Sequence, residues 1–241
     1  MRTKNKWFRD KNIKCVILAA GRGSRLLTLT KNDPKPMVPI SEKPILDHVI
    51  NYWKNYTKDF VFVVNYKKEK IIDYVKRIKD INSQFIIQKE LRGIAHALQF
   101  VEDVAGDKFI VVLGDCICKG NFNFPHDMAQ GVGIWETTNT KDIKNSYTVK
   151  LASNFVQRVR EKPKRVYNNL CGLGFYFFDR RVFEYIRKTP PSKLRGEIEL
   201  TDVIQNMING KEKISPIFFR GDYLNINTED ELNRARKLTN I

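Results

Sequence analysis

The sequence is poor in the residues that metal centres and nucleophilic enzymes use. Its 241 residues include only four cysteines and three histidines. Cys116 and Cys118 form C-x-C rather than C-x-x-C, and no cysteine or histidine stands at zinc-binding spacing from them. No Ser/His/Asp pattern indicates a hydrolytic triad. The composition therefore argues against a structural zinc site and against a triad hydrolase, and it predicts free, mostly buried thiols.

Long apolar runs and linkers are also missing. No run approaches the roughly 20 residues that a bilayer-spanning helix needs. The basic start, MRTKNKWFRDKNIK, is followed by an apolar stretch (15–20) too short for a signal peptide, with no small-residue cleavage site after it. Repeats, low-complexity segments and Pro/Gly/Ser linkers are absent. We expect a cytoplasmic protein without a membrane partner, built as one continuous domain over residues 1–241.

Acidic residues are outnumbered, and the formal net charge is +16. Such a balance is compatible with nucleic acids, anionic membranes or phosphorylated small molecules as partners, or with solvated lysine-rich faces. The basic residues are spread along the whole chain, and no helix-turn-helix or stacking motif accompanies them. We therefore expect no nucleic-acid partner.

Strand and helix patterns alternate through the first half of the chain. Continuous apolar runs separated by amphipathic segments indicate a parallel sheet covered on both faces. The second half has more strands and fewer helices. The predicted fold is α/β: a Rossmann-like, doubly wound, mostly parallel mixed sheet with a small antiparallel part. The predicted strands are 13–19, 60–65, 83–88, 108–114, 132–138, 146–152, 155–161 and 173–179, and the predicted helices are 45–53, 68–78, 94–104, 180–188, 200–208 and 228–238.

The segment LAAGRGSRLLTLTKNDPKPMVPI (18–40) follows the first strand, at the sheet edge where α/β proteins bind ligands. Gly21 and Gly23 allow backbone N–H groups to approach a phosphate, and Arg25 and Lys35 supply positive charge. The segment is neither a dinucleotide fingerprint, because Leu26 stands where a third glycine is required, nor a Walker loop.

The segment resembles the signature of sugar-1-phosphate nucleotidylyltransferases, L-A-[AG]-G-x-G-x-R-L-x-P-L-T-x-x-x-P-K-P-[ML], with Thr28 replacing the usual proline. The resemblance continues in register through QKELRGIAHAL (88–98), VVLGD (111–115), REKP (160–163), RGEIELTD (195–202) and YLNINTEDEL (223–232). The matching positions of the opening segment are Leu18, Ala19, Ala20, Gly21, Gly23, Arg25, Leu26, Leu29, Thr30, Pro34, Lys35, Pro36 and Met37.

The resemblance implies transfer of NMP from an NTP to a sugar-1-phosphate, which yields an NDP-sugar and pyrophosphate. The attacking phosphate is already ionised at pH 7, so positioning and charge neutralisation are the expected means of catalysis. The implied catalytic residues are Arg25, Lys35 and Asp115. The family pattern makes Asp115 the main Mg²⁺ ligand. Asn225 stands at the second ligand position, where many relatives carry Asp and the N-acetylglucosamine-1-phosphate uridylyltransferase branch carries Asn.

The resemblance also assigns binding residues. Gln88 would read the base, which favours a pyrimidine nucleotide because the amide matches its O2/N3/O4 edge. Glu197 would belong either to the pocket or to a helix cap. The implied nucleotide-binding residues are Leu18, Ala20, Gly21, Gly23, Gln88 and Gly93, and the implied acceptor-binding residues are Glu161, Lys162, Asn169 and Gly174.

Three alternatives remain open. A cytidylyltransferase acting on phosphocholine, or on another small phosphorylated non-sugar acceptor, would share the opening motif. A non-catalytic regulatory relative would keep the fold, although Arg25, Lys35 and Asp115 are all retained here. A nucleic-acid-binding module would show steeply salt-dependent DNA binding. We further expect nucleotide transfer alone, without an appended β-helix acetyltransferase, in a monomer or a homo-oligomer.

Overall fold

The computed structural model describes residues 6–9, 12–21, 23, 26, 30–192 and 196–239. We number the elements in chain order. The strands are β1 (Lys14–Leu18), β2 (Pro39–Ile40), β3 (Lys43–Pro44), β4 (Asp59–Val64), β5 (Asn82–Ile87), β6 (Lys108–Leu113), β7 (Cys116–Asn123), β8 (Gln130–Glu136), β9 (Tyr147–Ala152), β10 (Phe155–Glu161), β11 (Leu170–Asp179) and β12 (Ile214–Asn225). The helices are α1 (Ile45–Trp53), α2 (Lys68–Lys76), α3 (Ile94–Gln99), α4 (Thr140–Asn145), α5 (Arg181–Lys188), α6 (Leu200–Asn209) and α7 (Glu229–Thr239), and Lys6–Arg9 and Lys35–Met37 form short 3-10 helices.

One half of the main sheet is parallel, in the order β5-β4-β1-β6. Its strands are apolar runs because helices and loops cover both faces. In register, Leu18 at the end of β1 lies level with Val63 of β4 and Leu113 of β6. The carboxyl ends of β1 and β6 are therefore neighbours, and the segments that follow them lie side by side.

The other half is mixed. Strand β11 pairs antiparallel with both β6 and β8, β12 runs parallel to β8, and β7 pairs antiparallel with β12. The β9–β10 hairpin branches off through pairing of β9 with β11. This arrangement confirms the predicted fold of a parallel α/β core with an antiparallel part.

The element boundaries largely agree with the predictions, but some elements were missed. Helix α1 and strand β10 match their predicted ranges, whereas β7, β12 and α4 were not predicted as such. Strand β7 has the sequence CICKGNFN, whose glycine and short polar side chains conceal the strand period. Helix α3 ends at Gln99, five residues earlier than expected, because i→i+3 bonds such as Val101 N to Leu98 O replace the α-helical ladder.

The core lies in two apolar layers, one on each face of the sheet. Trp53 is fully buried in one layer and packs edge-on against Phe175, with Phe122 beside it. The four cysteines are free, and three are buried, as predicted; burial raises the pKa of the Cys15 thiol. Across the described ranges, no helix has the length and apolar character needed to cross a membrane.

The packing of Trp53 predicts a large effect on stability. Trp53→Ala should lower the free energy of unfolding by about 3–5 kcal/mol, because it leaves a cavity among aromatic rings. Urea unfolding followed by circular dichroism measures the loss. Tyr167→Ala is the control, since this side chain is 79% exposed and its removal should change the stability by less than about 0.5 kcal/mol. Equal effects of the two substitutions would refute this account of the core.

Candidate functional site: two adjoining cavities

The glycine-rich segment after β1 folds back onto Lys35. Gly23 has a φ of +69°, and a Cβ there would lie 2.7 Å from Lys35 Cβ. Glycine is therefore required both for the backbone conformation and for the close approach. The Thr30 hydroxyl donates to the carbonyl oxygens of Gly23 and Leu26, at 3.1 and 3.0 Å. Pro34 precedes the short helix that carries Lys35, and the lysine is 8% exposed.

Asp115 follows β6 and is held against β1. The backbone N–H of Gly114 donates to Leu18 O at 3.0 Å, and a Cβ at Gly114 would lie 2.9 Å from that oxygen. On the other side, the N–H of Ile226 donates to Asp115 O at 3.0 Å. The parallel half and the end of β12 thus meet at this carboxylate.

A chain of polar contacts joins the loop, β6 and the end of β12. Lys35 Nζ lies 2.5 Å from Asp115 Oδ2 and 2.9 Å from Asn227 Oδ1. Asn227 Nδ2 in turn donates to Asn225 Oδ1 at 2.8 Å. Glu231 Oε2 accepts from the Asn227 N–H at 2.6 Å and from the Thr228 N–H, in a capping box that opens α7.

The first cavity has a volume of about 280 Å³ and lies over the ends of β1 and β6. Gln88 lies in its wall and is 2% exposed. Its amide Nε2 donates to His96 Nδ1 at 3.2 Å, so the histidine orients the glutamine. Gly93 has a φ of +95°, and a Cβ there would contact the Glu197 side chain at 3.0 Å. The lining residues predicted from sequence are Leu18, Ala20, Gly21, Lys35, Gln88, Gly93 and Asp115.

The second cavity has a volume of about 320 Å³ and lies between the loop, β10, β11 and α6. Thr201 Oγ1 donates to Glu161 Oε2 at 3.4 Å. Lys162 has a φ of +39°, rare for a residue with a side chain, and its N–H donates to Ser146 O at 2.8 Å. The lining residues predicted from sequence are Gly21, Gly23, Lys35, Asp115, Glu161, Lys162, Gly174 and Asn225.

The two cavities meet at the ion pair. Gly21, Lys35 and Asp115 line both, together with Ile94 and Leu113. A molecule in one cavity and a molecule in the other would therefore face each other across one cation and one carboxylate. Two reactants bound in such cavities would be held together in a fixed orientation.

A buried tyrosine contacts the backbone and the thiol next to the junction. Tyr223 Oη accepts from the Gly174 N–H at 3.2 Å and lies 3.1 Å from Cys116 Sγ. Burial raises the pKa of the Tyr223 phenol, which keeps it protonated. Burial and the adjacent Asp115 charge raise the pKa of the Cys116 thiol, so this cysteine is not a nucleophile.

One predicted acceptor-binding residue stands apart from both cavities. Asn169 is exposed and lines neither cavity; its carbonyl oxygen accepts from the Thr137 N–H at 3.0 Å. Arg25 lies outside the described residues. Gly23, which was predicted to bind the nucleotide, lines the second cavity rather than the first.

The sequence interpretation missed several lining residues. Asn227 lies two positions after Asn225, and the capping box beside it was the available signal. Glu199 and Thr201 lie at the start of α6. The match of RGEIELTD (195–202) indicated this segment but assigned no role to either residue. Glu197 lines the first cavity, while the N-cap position belongs to Glu199. Tyr147 on β9 and Tyr176 on β11 gave no signal, because each strand has the pattern of ordinary core.

The donor set at the junction fits a magnesium ion. Asp115 offers a carboxylate and Asn225 an amide oxygen, and Mg²⁺ takes few protein ligands and completes its shell with water and phosphate oxygens. Among the described residues, no three His, Cys, Asp or Glu side chains cluster as a metal site. Asp115 and Asn225 are the residues that would hold the ion.

Comparisons with known proteins identify the family of this chain. A family model described as "Nucleotidyl transferase" matches residues 14–236. A bifunctional protein GlmU from Methanocaldococcus jannaschii is 36% identical over 226 residues, which are 92% of this chain and 53% of that protein. The UTP–glucose-1-phosphate uridylyltransferase AglF of Haloferax volcanii is 32% identical over 93% of this chain and 96% of its own length. The chain spans about half the length of the GlmU proteins that it matches.

Solved structures give the same result. A putative glucose-1-phosphate thymidylyltransferase from Bacillus anthracis superposes with a TM-score of 0.79 at 26% identity, covering 94% of both chains. A UDP-glucose pyrophosphorylase in complex with UDP-glucose shares the fold, with a TM-score of 0.79 at 22% identity over 95% of this chain and 98% of that one. With the signature loop, the paired cavities and the match over residues 14–236, the chain belongs to the nucleotidyl transferase family.

Proposed function

We propose that this protein transfers a nucleoside monophosphate from a nucleoside triphosphate to a sugar-1-phosphate and releases pyrophosphate. The observation that carries the proposal is the pair of cavities that share Lys35 and Asp115. The relative AglF, named a UTP–glucose-1-phosphate uridylyltransferase and matched over 96% of its length, supports a sugar-1-phosphate acceptor.

The nucleotide would bind in the first cavity. Gln88 offers an amide donor and acceptor to the base, and its hydrogen bond with His96 limits its rotation. This arrangement favours a pyrimidine. The backbone at Gly21 lies beside Lys35 at the junction, where the phosphates would be placed. Arg25 would stabilise the departing pyrophosphate.

The acceptor would bind in the second cavity, with its phosphate toward Lys162 and Lys35 and its hydroxyls toward Glu161 and Glu199. The acceptor phosphate oxygen forms a bond to the α-phosphorus of the triphosphate, and the bond from that phosphorus to pyrophosphate breaks. Lys35 neutralises charge at the junction, and Asp115 holds the lysine amine in place at 2.5 Å. Magnesium, held by Asp115 and Asn225, would neutralise phosphate charge.

A second candidate acceptor has an observation in its favour. Two tyrosines and two glutamates line the second cavity, as in sites for quaternary amines such as phosphocholine. Tyr147 and Tyr176 are only 2% and 4% exposed, however, so they do not form an open cage. The positive charge of Lys162 in the same cavity would also repel a cationic ligand. The sugar phosphate is therefore the better supported acceptor.

Pyrophosphate release tests the proposed reaction. Purified protein with Mg²⁺ is incubated with each of UTP, dTTP, CTP, ATP and GTP against a panel of sugar-1-phosphates, phosphocholine and inositol-1-phosphate. We expect release with a pyrimidine nucleotide and a sugar-1-phosphate, confirmed by mass spectrometry of the NDP-sugar. If phosphocholine were the one acceptor that supported turnover, it would take the place of the sugar-1-phosphate in the proposed reaction. If no pair of nucleotide and acceptor supported turnover, the proposed reaction would be refuted.

Removal of the ion pair should abolish most of the activity. Lys35→Ala and Asp115→Ala should each lower kcat by about 10² or more, because preorganised charge at the reacting phosphates is lost. Lys164→Ala and Asp222→Ala, at exposed positions that line neither of the two cavities, are the matched controls and should retain activity. Wild-type rates in Lys35→Ala or Asp115→Ala would contradict the assigned roles.

The metal ligands predict a shift in magnesium dependence. Chelation with EDTA should stop turnover, and Mg²⁺ should restore it. Asn225→Asp should lower the Mg²⁺ concentration at half-maximal rate, since a carboxylate binds this hard cation more tightly than an amide oxygen does. A rate that does not respond to EDTA would exclude the proposed metal, and a rise in the half-maximal concentration in Asn225→Asp would assign the amide another role.

A further inference from the structure

The side chain of Asn227 lies between the ion pair and the residue that would be the second metal ligand. Asn227 Oδ1 lies 2.9 Å from Lys35 Nζ, and Asn227 Nδ2 lies 2.8 Å from Asn225 Oδ1. The asparagine is half-buried beside the second cavity. The resemblance to the family assigns no role to this position. One amide therefore connects two groups that the proposed reaction uses.

The ammonium group of Lys35 fixes the orientation of both amides. A lysine ammonium donates hydrogen bonds and accepts none, so the atom of Asn227 that faces it must be the amide oxygen. The amide nitrogen of Asn227 is then directed to Asn225, where it requires an acceptor. The oxygen of Asn225 is the atom of that amide that can accept. The order of cation, amide and amide thus allows one arrangement of donors and acceptors.

The orientation of Asn225 depends on this contact. Within the part of the chain that the structure describes, the Asn225 side chain has one hydrogen bond, which Asn227 Nδ2 donates. A carbonyl oxygen has two lone pairs, so Asn225 Oδ1 can accept from Asn227 and also ligate a cation. Rotation of the amide by about 180° would exchange this oxygen for a nitrogen that carries hydrogens, and Mg²⁺ takes oxygen ligands.

The same side chain restrains the lysine. Lys35 Nζ has three N–H groups, of which one is directed to Asp115 Oδ2 at 2.5 Å and one to Asn227 Oδ1. Within the described ranges, no contact of the protein takes the third. Lys35 lines both cavities, so this N–H is left for a phosphate at the junction.

The backbone of Asn227, rather than its side chain, belongs to the capping box of α7. Its N–H donates to Glu231 Oε2 at 2.6 Å. Its φ lies outside the left-handed region, so the backbone accepts other side chains. A substitution at position 227 therefore removes the two amide contacts and keeps the helix cap.

We propose that Asn227 is a positioning residue that presents the Asn225 oxygen to the metal ion and the Lys35 ammonium to the phosphates. This inference rests on the proposed function and deepens it, because the same lysine and the same metal ligand are involved. Asn227 acts through these two residues and not by contact with a substrate. Removal of an outer partner that orients a metal ligand typically weakens metal binding by about 10–100-fold.

Binding of Mn²⁺ to the purified protein tests the proposal without turnover. Mn²⁺ takes the same oxygen ligands as Mg²⁺, and its free concentration is measured from its EPR signal during a titration. Asn227→Leu, which keeps the size of the side chain, should raise the Mn²⁺ dissociation constant by about tenfold. Asn123→Leu, at an exposed position that lines neither cavity, is the matched control and should bind Mn²⁺ as wild type does.

A double-variant cycle separates orientation of the amide from a general effect on the site. In Asn225→Asp both terminal atoms of the side chain are oxygens, so either orientation presents a ligand. Asn227→Leu should therefore raise the dissociation constant by less than about twofold in that background, which makes the two substitutions strongly non-additive. Thermal unfolding checks each variant, and Asn227→Ala replaces Asn227→Leu if the latter does not fold. Equal effects in the two backgrounds would overturn the role of Asn227.

The other outcomes also decide between the positioning role and the proposed function. An unchanged Mn²⁺ affinity with a raised KM for the acceptor would show that Asn227 contacts the acceptor, which overturns the positioning role and leaves the transfer reaction standing. Transfer by a wild-type protein that binds no Mn²⁺ would remove the metal ligands and the role of Asn227 together. Absence of transfer to any acceptor would refute the proposed function, while a non-additive loss of Mn²⁺ affinity would still support the orientation of Asn225 by Asn227.

Discussion

The contact between Lys35 and Asp115 joins segments 80 residues apart and holds the site together. It exists because β1 and β6 are adjacent parallel strands whose carboxyl ends deliver a loop and a carboxylate to one place. Gly23 allows the lysine to pack against the loop, and Gly114 allows the carboxylate strand to pass close to Leu18 O. Side chains at these glycines would move the charges apart. The same ion pair forms the boundary between the two cavities, so the sheet register fixes where two substrates would meet.

Charge at the junction is balanced with few ionisable groups. One carboxylate, one ammonium and two amides form a continuous chain of contacts, and Asn227 is fixed by the capping box of α7. The neighbouring thiol and phenol stay neutral, because burial raises the pKa of both Cys116 and Tyr223. Among the described residues of this chain of contacts, the formal charge is therefore carried by Lys35 and Asp115. Such a site suits a reaction whose nucleophile is already an anion and needs orientation rather than a base.

The two cavities differ in how they are built. The first cavity is formed by the ends of parallel strands and by Gln88, a buried side chain oriented by His96. The second cavity is formed in large part by the antiparallel branch, where cross-strand neighbours such as Tyr147 and Glu161 share a face. Exchange of side chains on the antiparallel branch would leave the parallel core and the ion pair intact. The fold thus places most of the wall of each cavity on a different part of the sheet.

The sequence alone determined the parallel half, the position of Lys35 in the motif after β1, and the position of Asp115 after β6, because these depend on local periodicity and contiguous motifs, whereas the contact between Lys35 and Asp115 came only from the structure. It also predicted the last helix from its threonine cap and acidic first turn. Only the tertiary structure decided that Asn227 contacts Lys35, that Asn169 lines neither cavity, and that Tyr147 covers Gly172. These facts arise from strand pairings such as that of β9 with β11, in which residues far apart in the chain become neighbours, and the local pattern of one strand does not say which distant strand it pairs with.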